Sequence, residues 1–267
     1  MPGSPLDLAQ LSSAAGPAWS VDLLPTADST NAVAAADPVA DRIVVADHQT
    51  AGRGRLDRTW QTPPGTALTF SVTVDPELAD QDWPLLPLAA ALAVSDGVRR
   101  AADVDPRLKW PNDLLLDDVG DGGGAGTDRE RKFAGILLER VADPSDRTRP
   151  LAVIGIGINV AMTREQLPVP TATSLAIAGA QVDRTQVFGE VVHALSRVLA
   201  QLADDPSAVL ERYRGACTTT GRHVEAHLPD GTVLKGLAED VDRYGRLVVA
   251  GQAVGAGDVV HVRPDVT

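Results

Sequence analysis

Cysteine, lysine and aromatic residues are scarce in this chain of 267 residues, which has one cysteine, three lysines and 3% aromatic residues. A single cysteine excludes an intramolecular disulfide and any metal site built from several cysteines, which suits a reducing cytoplasm. Because Cys217 follows a helical pattern and lies among small residues, we interpret it as a structural residue and not as a nucleophile.

Long apolar runs and an excess of positive charge are also missing. No apolar stretch is long enough to cross a bilayer, and the N-terminus lacks the basic and apolar regions of a signal peptide. The formal net charge is −12. Since phosphate contacts dominate affinity for duplex nucleic acid, we expect no broad DNA-binding face, although a local basic pocket is compatible with this charge. We therefore expect a cytoplasmic protein that binds neither DNA nor membranes.

The apolar pattern predicts a lead-in followed by a large unit of strands and helices. Residues 1–20 are rich in Pro, Ser, Ala and Gly, so we expect them to be loosely held. Buried or alternating segments predict strands, and apolar residues at helical spacing predict helices. The predicted strands are 42–46, 67–74, 107–110, 113–116, 133–139 and 151–160, and the predicted helices follow the cap at 28–31 and span 85–101, 185–202 and 207–216.

The composition changes in two further segments. Residues 117–131 contain a run of glycines among charged residues, which predicts a flexible insertion. From residue 221 to 263 the chain consists of short alternating segments separated by turns. These segments, at 223–228, 232–238, 246–249 and 259–262, predict a small antiparallel barrel.

The most informative local feature is the segment 52–60, which places three arginines and two glycines within seven residues. Arginine is a poor core residue and glycine is costly inside helices and strands, so the segment predicts a loop. Backbone N–H groups and guanidinium forks in such a loop can bind a carboxylate or a phosphate. Taken alone, the tetrad Gly52-Arg53-Gly54-Arg55 is equally compatible with a solvated basic loop.

The few lysines also draw attention. Lys109, Lys132 and Lys235 are the only ones, while every other basic residue except histidine is arginine. A lysine kept in so arginine-rich a chain suggests that a compact ammonium is needed. A surface lysine at the end of a strand is the competing interpretation for each of them.

Further polar residues fit a site that handles anions. Ser29, Thr30 and Asn31 combine two hydroxyls, an amide and a predicted helix N-terminus, and Gln49 stands just before the arginine loop. Their competing interpretation is simple helix capping. Asn112 and Asp113 lie on a predicted turn, and the segment 155–159 offers two glycines and Asn159. There is no P-loop, and the glycine pair lacks the third glycine of a dinucleotide-binding fingerprint.

Five motifs occur in a fixed order along the chain. They are Asp28-Ser29-Thr30-Asn31, Gln49-Thr50-Ala51-Gly52-Arg53-Gly54-Arg55 with Trp60, Lys109-Trp110-Pro111-Asn112-Asp113, Lys132-Phe133-Ala134-Gly135-Ile136-Leu137-Leu138-Glu139 and Gly155-Ile156-Gly157-Ile158-Asn159. In this order they resemble the biotin protein ligase family (biotin–[acetyl-CoA-carboxylase] ligase) over about residues 22 to 263. The resemblance is to the short form, without an N-terminal DNA-binding domain.

The resemblance implies a fold and a reaction. The fold is α/β (α+β): a central mixed sheet flanked by helices and related to class II aminoacyl-tRNA synthetases over 21–217, and an SH3-like barrel over 218–267. The reaction joins biotin to ATP as biotinyl-5′-adenylate with the help of Mg²⁺. Biotin then passes to a lysine of the biotin carboxyl carrier domain of acyl-CoA carboxylases, in support of fatty acid synthesis. We expect a monomer or a weak homodimer.

The resemblance also implies roles for individual residues. Lys132, Arg53 and Arg55 are the expected catalytic residues. The residues expected to bind biotin are Ser29, Thr30, Asn31, Gln49, Gly52, Arg53, Gly54, Arg55, Lys132 and Gly135. The residues expected to bind the nucleotide are Arg55, Trp60, Lys109, Asn112 and Asn159. Asp113 is the expected Mg²⁺ ligand.

The chain departs from the family at one point of the arginine loop. Leu56 and Asp57 stand where the family often continues with Arg-Gly, so a positive charge is lost and a negative one is added. We expect weaker retention of the adenylate, or a looser loop before ligands bind.

Three alternative functions remain open at this point. A lipoate–protein ligase shares the implied fold and adenylation chemistry, although the arginine loop and the C-terminal barrel favour biotin. A biotin-responsive transcriptional regulator would need sequence-specific DNA binding, against which the net charge argues. A catalytically inactive binding module is disfavoured because Lys132, Arg53 and Arg55 occur together.

Overall fold

The computed structural model describes residues 5–55, 59–117, 130–146, 148–255 and 257–261. The α-helices are α1 (Leu8–Ala15), α2 (Thr30–Ala36), α3 (Leu86–Ala102), α4 (Arg184–Asp204) and α5 (Pro206–Ala216). The strands are β1 (Ser20–Ala27), β2 (Arg42–Gln49), β3 (Gly52–Arg53), β4 (Thr59–Trp60), β5 (Ala67–Val74), β6 (Arg107–Lys109), β7 (Asp113–Asp117), β8 (Glu130–Ala142), β9 (Pro150–Asn159), β10 (His223–His227), β11 (Val233–Val241), β12 (Leu247–Val249), β13 (Gln252–Val254) and β14 (Asp258–His261). Short 3-10 helices lie at Asp80–Leu85 and Arg164–Gln166.

A seven-stranded sheet forms the centre of the molecule, in the order β1-β2-β5-β9-β8-β7-β6. The β1–β2 pair is parallel and the other pairs are antiparallel, so the sheet is mixed as predicted. The alternating segment at 67–74 does form a strand, but β5 is buried on both faces. On one face, the Phe70 ring packs edge-on against the Phe188 ring of α4, with 5.3 Å between the ring centroids. On the opposite face, the Ser71 hydroxyl forms hydrogen bonds with Thr30 and Asn31 of α2.

The predicted lead-in over residues 1–20 is wrong for residues 8–15, which form α1. Asp7 caps this helix by accepting a hydrogen bond from the backbone N–H of Gln10 at 2.9 Å. Leu11 and Ala15, one turn apart, are buried, and α1 packs against α4. A short amphipathic helix with a capping aspartate is therefore stabilised by tertiary packing despite its low-complexity surroundings.

The C-terminal segment forms a second sheet of five antiparallel strands in the order β13-β12-β11-β10-β14. Four of these strands were predicted, whereas β13 was missed because two of its three residues are exposed and no apolar pattern marks it. Residue 262, the end of the last predicted segment, lies outside the described residues. The turn before β12 contains Gly245 at φ 74°, a conformation that glycine adopts without strain.

The two sheets are joined through the segment after β6. The Trp110 indole is buried and donates to the carbonyl of Gly245 at 2.9 Å, and its backbone N–H donates to Thr219 Oγ1 at 3.0 Å. The backbone N–H of Thr218 also donates to the carbonyl of Leu108 at 2.8 Å. These bonds place the second sheet next to one end of the first, where the candidate site lies.

The glycine-rich insertion predicted for 117–131 falls mostly outside the described residues. Its first residue, Asp117, ends β7, and its last two, Glu130 and Arg131, belong to β8. The short strands at 107–110 and 113–116 are confirmed as an antiparallel pair, β6 and β7. In the described part of the chain, no helix is both long and apolar enough to cross a membrane.

Candidate active site

A cleft of about 1100 Å³ lies between the N-terminus of α2, the arginine segment, strands β7 to β9 and the end of the second sheet. Of the residues predicted for the site, all but Gly52 line it. They are Ser29, Thr30, Asn31, Gln49, Arg53, Gly54, Arg55, Trp60, Lys109, Asn112, Asp113, Lys132, Gly135 and Asn159. Five motifs that are far apart in sequence therefore meet in one place.

One end of the cleft is polar and uncharged. Ser29 caps α2 by accepting from the backbone N–H of Ala32 at 3.4 Å. The backbone N–H and the hydroxyl of Thr30 both contact Gln49 Oε1, at 2.9 and 3.3 Å. Gly52 stands beside this pair, since a Cβ there would lie 2.0 Å from Gln49 Nε2. Glycine at this position therefore makes room for the glutamine side chain.

Asn31 at the same end is held entirely by protein groups. Its Nδ2 donates to the carbonyl of Leu137 at 3.3 Å and to Glu139 Oε1 at 3.0 Å, and its Oδ1 accepts from Ser71 at 2.6 Å. A Cβ on Gly155 would lie 2.0 Å from Asn31 Oδ1. The close approach that this glycine permits is thus to a protein side chain.

Lys132 occupies the charged part of the cleft. Its backbone N–H donates to the carbonyl of Thr171 and its carbonyl accepts from Thr173 N–H, at 2.9 and 2.8 Å, which fixes the start of β8. Its Nζ lies 2.5 Å from Asp113 Oδ1 and 5.4 Å from the centroid of the Trp60 ring. A compact ammonium is therefore held between a carboxylate and an aromatic face.

The two loop arginines also line the cleft. Arg53 Nη2 contacts both oxygens of Glu139, at 3.2 and 3.4 Å. Burial in the cleft lowers the pKa of the Arg55 guanidinium, and the nearby carboxylates of Asp113 and Asp258 oppose that shift. An arginine stays protonated near neutral pH even so. A permanent cation in a poorly hydrated cleft is an arrangement suited to binding an anion.

The amides expected to bind the nucleotide already have partners. Asn112 Nδ2 donates to the carbonyl of Ile136 at 2.8 Å, and Asn159 Nδ2 donates to the carbonyl of Thr173 at 2.9 Å. Both asparagines therefore order the cleft wall through their NH₂ groups. Lys109 lies on the same side, close enough to His261 to affect its titration.

Asp113 was predicted to bind Mg²⁺, and its surroundings fit that ion only in part. Among the residues that the structure describes, no group of three His, Cys, Asp or Glu side chains could hold a metal ion. A protein often holds Mg²⁺ through one or two carboxylates, with phosphates and water completing the shell. The single carboxylate of Asp113 fits that pattern, although it is also paired with the ammonium of Lys132.

The sequence analysis missed the wall of the cleft that comes from the second sheet and from the start of β8. The missed residues include Glu130, Arg131 and the segment 257–261. Glu130 has a side chain only 4% exposed, and it accepts hydrogen bonds from Arg107 at 3.0 Å and from Arg222 at 2.5 and 2.9 Å. No local motif marks these residues, because they meet only when the two sheets pack together.

His261 adds to this ionic cluster. Arg222 Nη1 lies 3.0 Å from His261 Nδ1 and can only donate, so Nδ1 accepts and Nε2 carries the proton toward Thr219 Oγ1 at 3.1 Å. Burial disfavours a charged Glu130, but its hydrogen bonds with Arg222 and Arg107 outweigh this and hold the pKa of Glu130 far below its usual value. The cluster therefore has an ionised carboxylate and a neutral imidazole at pH 7.

We expect the free energy of unfolding to decrease as the pH falls below about 6.5, with a contribution from His261. Burial lowers the pKa of His261 from 6.5, opposed by Glu130. In that range the unfolded chain binds a proton that the folded chain does not, so acid favours unfolding until the pH passes the folded-state value. Denaturant unfolding between pH 7.5 and 5 should show a shallower decrease for His261→Gln. The exposed His223→Gln is the control, and equal slopes for both variants would refute the assignment.

Gly157→Ala is expected to displace the Trp60 ring. A Cβ at this position would lie 2.7 Å from Trp60 Cε2 and 2.8 Å from its Nε1, so the indole must move from its place in the cleft wall. We expect KM for ATP to rise by about tenfold, which corresponds to about 1.4 kcal/mol of lost binding. Gly215→Ala is the control, because nothing lies within 4 Å of the added Cβ there. An unchanged KM would mean that the ring has no part in binding the nucleotide.

Comparison with known proteins places this site in a family. Residues 23–159 match the Biotin/lipoate A/B protein ligase family, and residues 219–262 match the Biotin protein ligase C terminal domain. The Biotin–[acetyl-CoA-carboxylase] ligase of Mycobacterium tuberculosis is 36% identical over 264 residues, with 93% of this chain and 92% of that protein covered. The Bifunctional ligase/repressor BirA of Escherichia coli is 30% identical over 241 residues, with 86% of this chain and 69% of that protein covered.

A solved structure shares the whole fold. The biotin protein ligase from Aquifex aeolicus in complex with biotin and ATP superposes with a TM-score of 0.74 at 25% identity, covering 91% of this chain and 99% of that one. The family match spans about half of the chain, the second match covers the small sheet, and the relative from M. tuberculosis aligns along nearly its full length. The chain therefore belongs to the biotin/lipoate A/B protein ligase family, among its biotin protein ligases.

Proposed function

We propose that this chain is a biotin–[acetyl-CoA-carboxylase] ligase. It joins biotin to ATP, giving biotinyl-5′-adenylate and pyrophosphate, and then transfers biotin to a lysine of a biotin carboxyl carrier domain. The observation that carries this proposal is the convergence of Lys132, Arg53 and Arg55 on one cleft whose other end is polar and uncharged.

The uncharged end suits the ureido head of biotin. Ser29, Thr30 and Gln49 offer hydroxyl and amide groups that can both donate and accept hydrogen bonds, as a neutral urea requires. The apolar residues Ile136, Leu137 and Ile156 line the cleft as well and suit the thiophane ring and the aliphatic chain. Asn31 acts here by ordering the pocket, since its amide is bonded to protein groups.

The cationic part suits the reacting groups. An oxygen of the biotin carboxylate attacks the α-phosphorus of ATP, and pyrophosphate leaves with the electron pair of the broken P–O bond. The two reactants are anions that repel each other, so Lys132, Arg53 and Arg55 bind both and stabilise the charge that develops on the phosphate oxygens. In the second step the amine of the carrier lysine attacks the acyl carbonyl, AMP leaves, and an amide forms.

The nucleotide lies toward the second sheet in this proposal. Trp60 offers an aromatic face, Lys109 a positive charge, and Asn112 and Asn159 shape the wall. Asp113 would hold Mg²⁺ together with the phosphates of ATP, and the bound ion would neutralise part of the phosphate charge. Gly135 leaves room for Lys132, because a Cβ there would lie 3.1 Å from its Nζ.

The arginine segment acts as a cover over the adenylate. Its described ends pair as a short hairpin, with Gly52 opposite Trp60 and Arg53 opposite Thr59. Leu56 and Asp57, where the chain departs from the family, lie outside the described residues. Weaker retention of the adenylate therefore stays a prediction, which the rate of adenylate release from the purified complex would measure.

The cellular setting and the division into domains complete the proposal. The chain's one cysteine, Cys217, is buried at the end of α5, which agrees with a structural role and with a cytoplasmic setting. We divide the chain into a catalytic domain over 21–217 and a small domain over 218–267. The carrier domain of an acyl-CoA carboxylase is the proposed protein substrate.

The decisive experiment is ATP-dependent transfer of labelled biotin to a purified carboxyl carrier domain. We expect label on the carrier only when ATP is present, and none on a carrier whose target lysine is replaced by arginine. Pyrophosphate release with biotin or with lipoate in parallel separates the two activities of the family. Release with lipoate but not with biotin would refute the proposal.

A further inference from the structure

A continuous chain of polar contacts runs beneath the cleft from its uncharged end to the arginine loop. Gln49 Oε1 contacts Thr30 Oγ1 at 3.3 Å, and Thr30 Oγ1 contacts Ser71 Oγ at 2.7 Å. Ser71 Oγ contacts Asn31 Oδ1 at 2.6 Å, as described above. Asn31 Nδ2 then reaches Glu139, whose carboxylate meets the guanidinium of Arg53, a residue of the loop.

The direction of the hydrogen bonds follows from the number of available protons. Ser71 has one hydroxyl proton, and Asn31 Oδ1 can only accept, so Ser71 donates to Asn31. Thr30 must then donate to Ser71, which leaves the backbone N–H of Thr30 to bond Gln49 Oε1 at 2.9 Å. Each of these groups has one consistent role, so the chain of contacts is fully satisfied.

Packing locks the middle of this chain. Ser71 is fully buried in β5 and Asn31 is 3% exposed. Gly155 lies directly against Asn31 Oδ1, and the carbonyl of Leu137 holds one of its amide protons. Asn31 therefore cannot change its orientation without leaving buried polar groups unpaired, which is costly.

Within the described part of the chain, neither Ser71 nor Glu139 lines the cleft. Any effect of these two residues on a ligand must therefore pass through Thr30, Asn31 or Arg53, which do line it. The Glu139 contact uses Nη2 of Arg53. A guanidinium has five donors, so the other nitrogens can meet a ligand carboxylate while Glu139 orients the group.

We propose that Ser71 and Glu139 are positioning residues that hold the biotin-head pocket and Arg53 as one preorganised unit. This inference rests on the proposed function. Glu139 orients Arg53 toward the biotin carboxylate, and Ser71 fixes Asn31, which in turn fixes the Glu139 carboxylate. By fixing the side chains of the pocket before biotin binds, they reduce the conformational entropy that is lost on binding.

The test measures biotin affinity by titration calorimetry without ATP in two double-mutant cycles. Glu139→Gln keeps an acceptor for Asn31 but removes the charge opposite Arg53, and we expect it to weaken biotin binding about threefold. Ser71→Ala removes the only proton bonded to Asn31 Oδ1, and we expect about tenfold weaker binding. On an Arg53→Ala background the effect of Glu139→Gln should shrink to less than about 1.5-fold, because the residue through which it acts is gone. The effect of Ser71→Ala should also become smaller, and only the part that passes through Thr30 should remain.

The control is Asp80→Asn, which breaks an exposed ion pair with Arg140, the residue next to Glu139. It should leave biotin affinity unchanged on both backgrounds. Thermal unfolding of every variant shows whether it is folded. If Ser71→Ala does not fold, the Glu139→Gln cycle alone tests the inference.

Additive effects in either cycle would overturn the inference, because a general structural role weakens binding equally with and without Arg53. Coupling in both cycles supports it. Failure of the proposed function is distinguishable, since the wild-type chain would then bind no biotin at all in the same titration.

Discussion

Lys132→Ala is expected to lower the rate of biotin-dependent pyrophosphate exchange by about a hundred- to a thousandfold, the range seen when one group that stabilises transition-state charge is removed. In this structure the ammonium lies against Asp113 and over Trp60, inside the cleft that Arg53 and Arg55 also line. Pyrophosphate exchange and transfer to the carrier should be measured separately, and both should fall.

Lys235→Ala is the matched control for this prediction. Lys235 lies on β11 with its Nζ 2.6 Å from Glu225 Oε1, and it is largely exposed. Its removal should leave both rates within about twofold of wild type, because exposed ion pairs contribute little. A Lys132→Ala enzyme that unfolds at the wild-type temperature and still exchanges pyrophosphate at the wild-type rate would show that the assigned role is wrong.

Glu130→Gln is expected to lower the free energy of unfolding by about 2–4 kcal/mol, because breaking a buried ion pair leaves its partners without compensation. The side chain of Glu130 is 4% exposed, and its partners Arg107 and Arg222 come from the first sheet and from the segment entering the second. The substitution keeps the shape of the side chain but leaves Arg222 without its carboxylate and Arg107 with Asp117 as its remaining carboxylate partner. Denaturant unfolding at pH 7 measures the change.

The same experiment tests whether the cluster holds the two sheets together. Because the pKa of Glu130 is lowered from 4.5, its contribution should be present above about pH 4.5 and be lost progressively as the pH falls below that value. The wild-type chain and Glu130→Gln should therefore differ about equally at pH 7 and at pH 5. Glu225→Gln is a control at an exposed pair. A Glu130→Gln chain as stable as wild type would mean that the cluster does not stabilise the packing.

Much of the fold could be predicted from short segments of sequence. The helix after Ser29 begins at its capping residue, and the hairpin around Pro111 follows from two apolar segments on either side of a turn. Such elements depend on neighbours a few residues away, so their signals are local. Helix α1 was missed because it is short and is stabilised by packing against α4, which is distant in sequence. Strand β13 pairs with the neighbouring β12, but two of its three residues are exposed, so no apolar pattern marks it.

The cleft was predictable in its residues but not in their partners. The five motifs named nearly every side chain on the α2 and loop sides, because glycine, lysine and arginine are unusual enough to be noticed without a structure. The sequence shows glycines at 155 and 157, but only the structure identifies Asn31 and Trp60 as the side chains that lie against them. The amides of Asn112 and Asn159 likewise turned out to bond backbone carbonyls.

The family, the reaction that it implies and the charged residues of the five motifs can be identified from the sequence, because these motifs are chemically distinctive even without a structure. Only the tertiary structure decided that Glu139 meets Asn31 across 108 residues and that Glu130 meets Arg222 across 92. Such contacts depend on how strands and sheets come together and leave no local pattern in the chain. The contacts that position the site residues therefore depend on the fold, whereas the reactive groups themselves can be identified from the motifs.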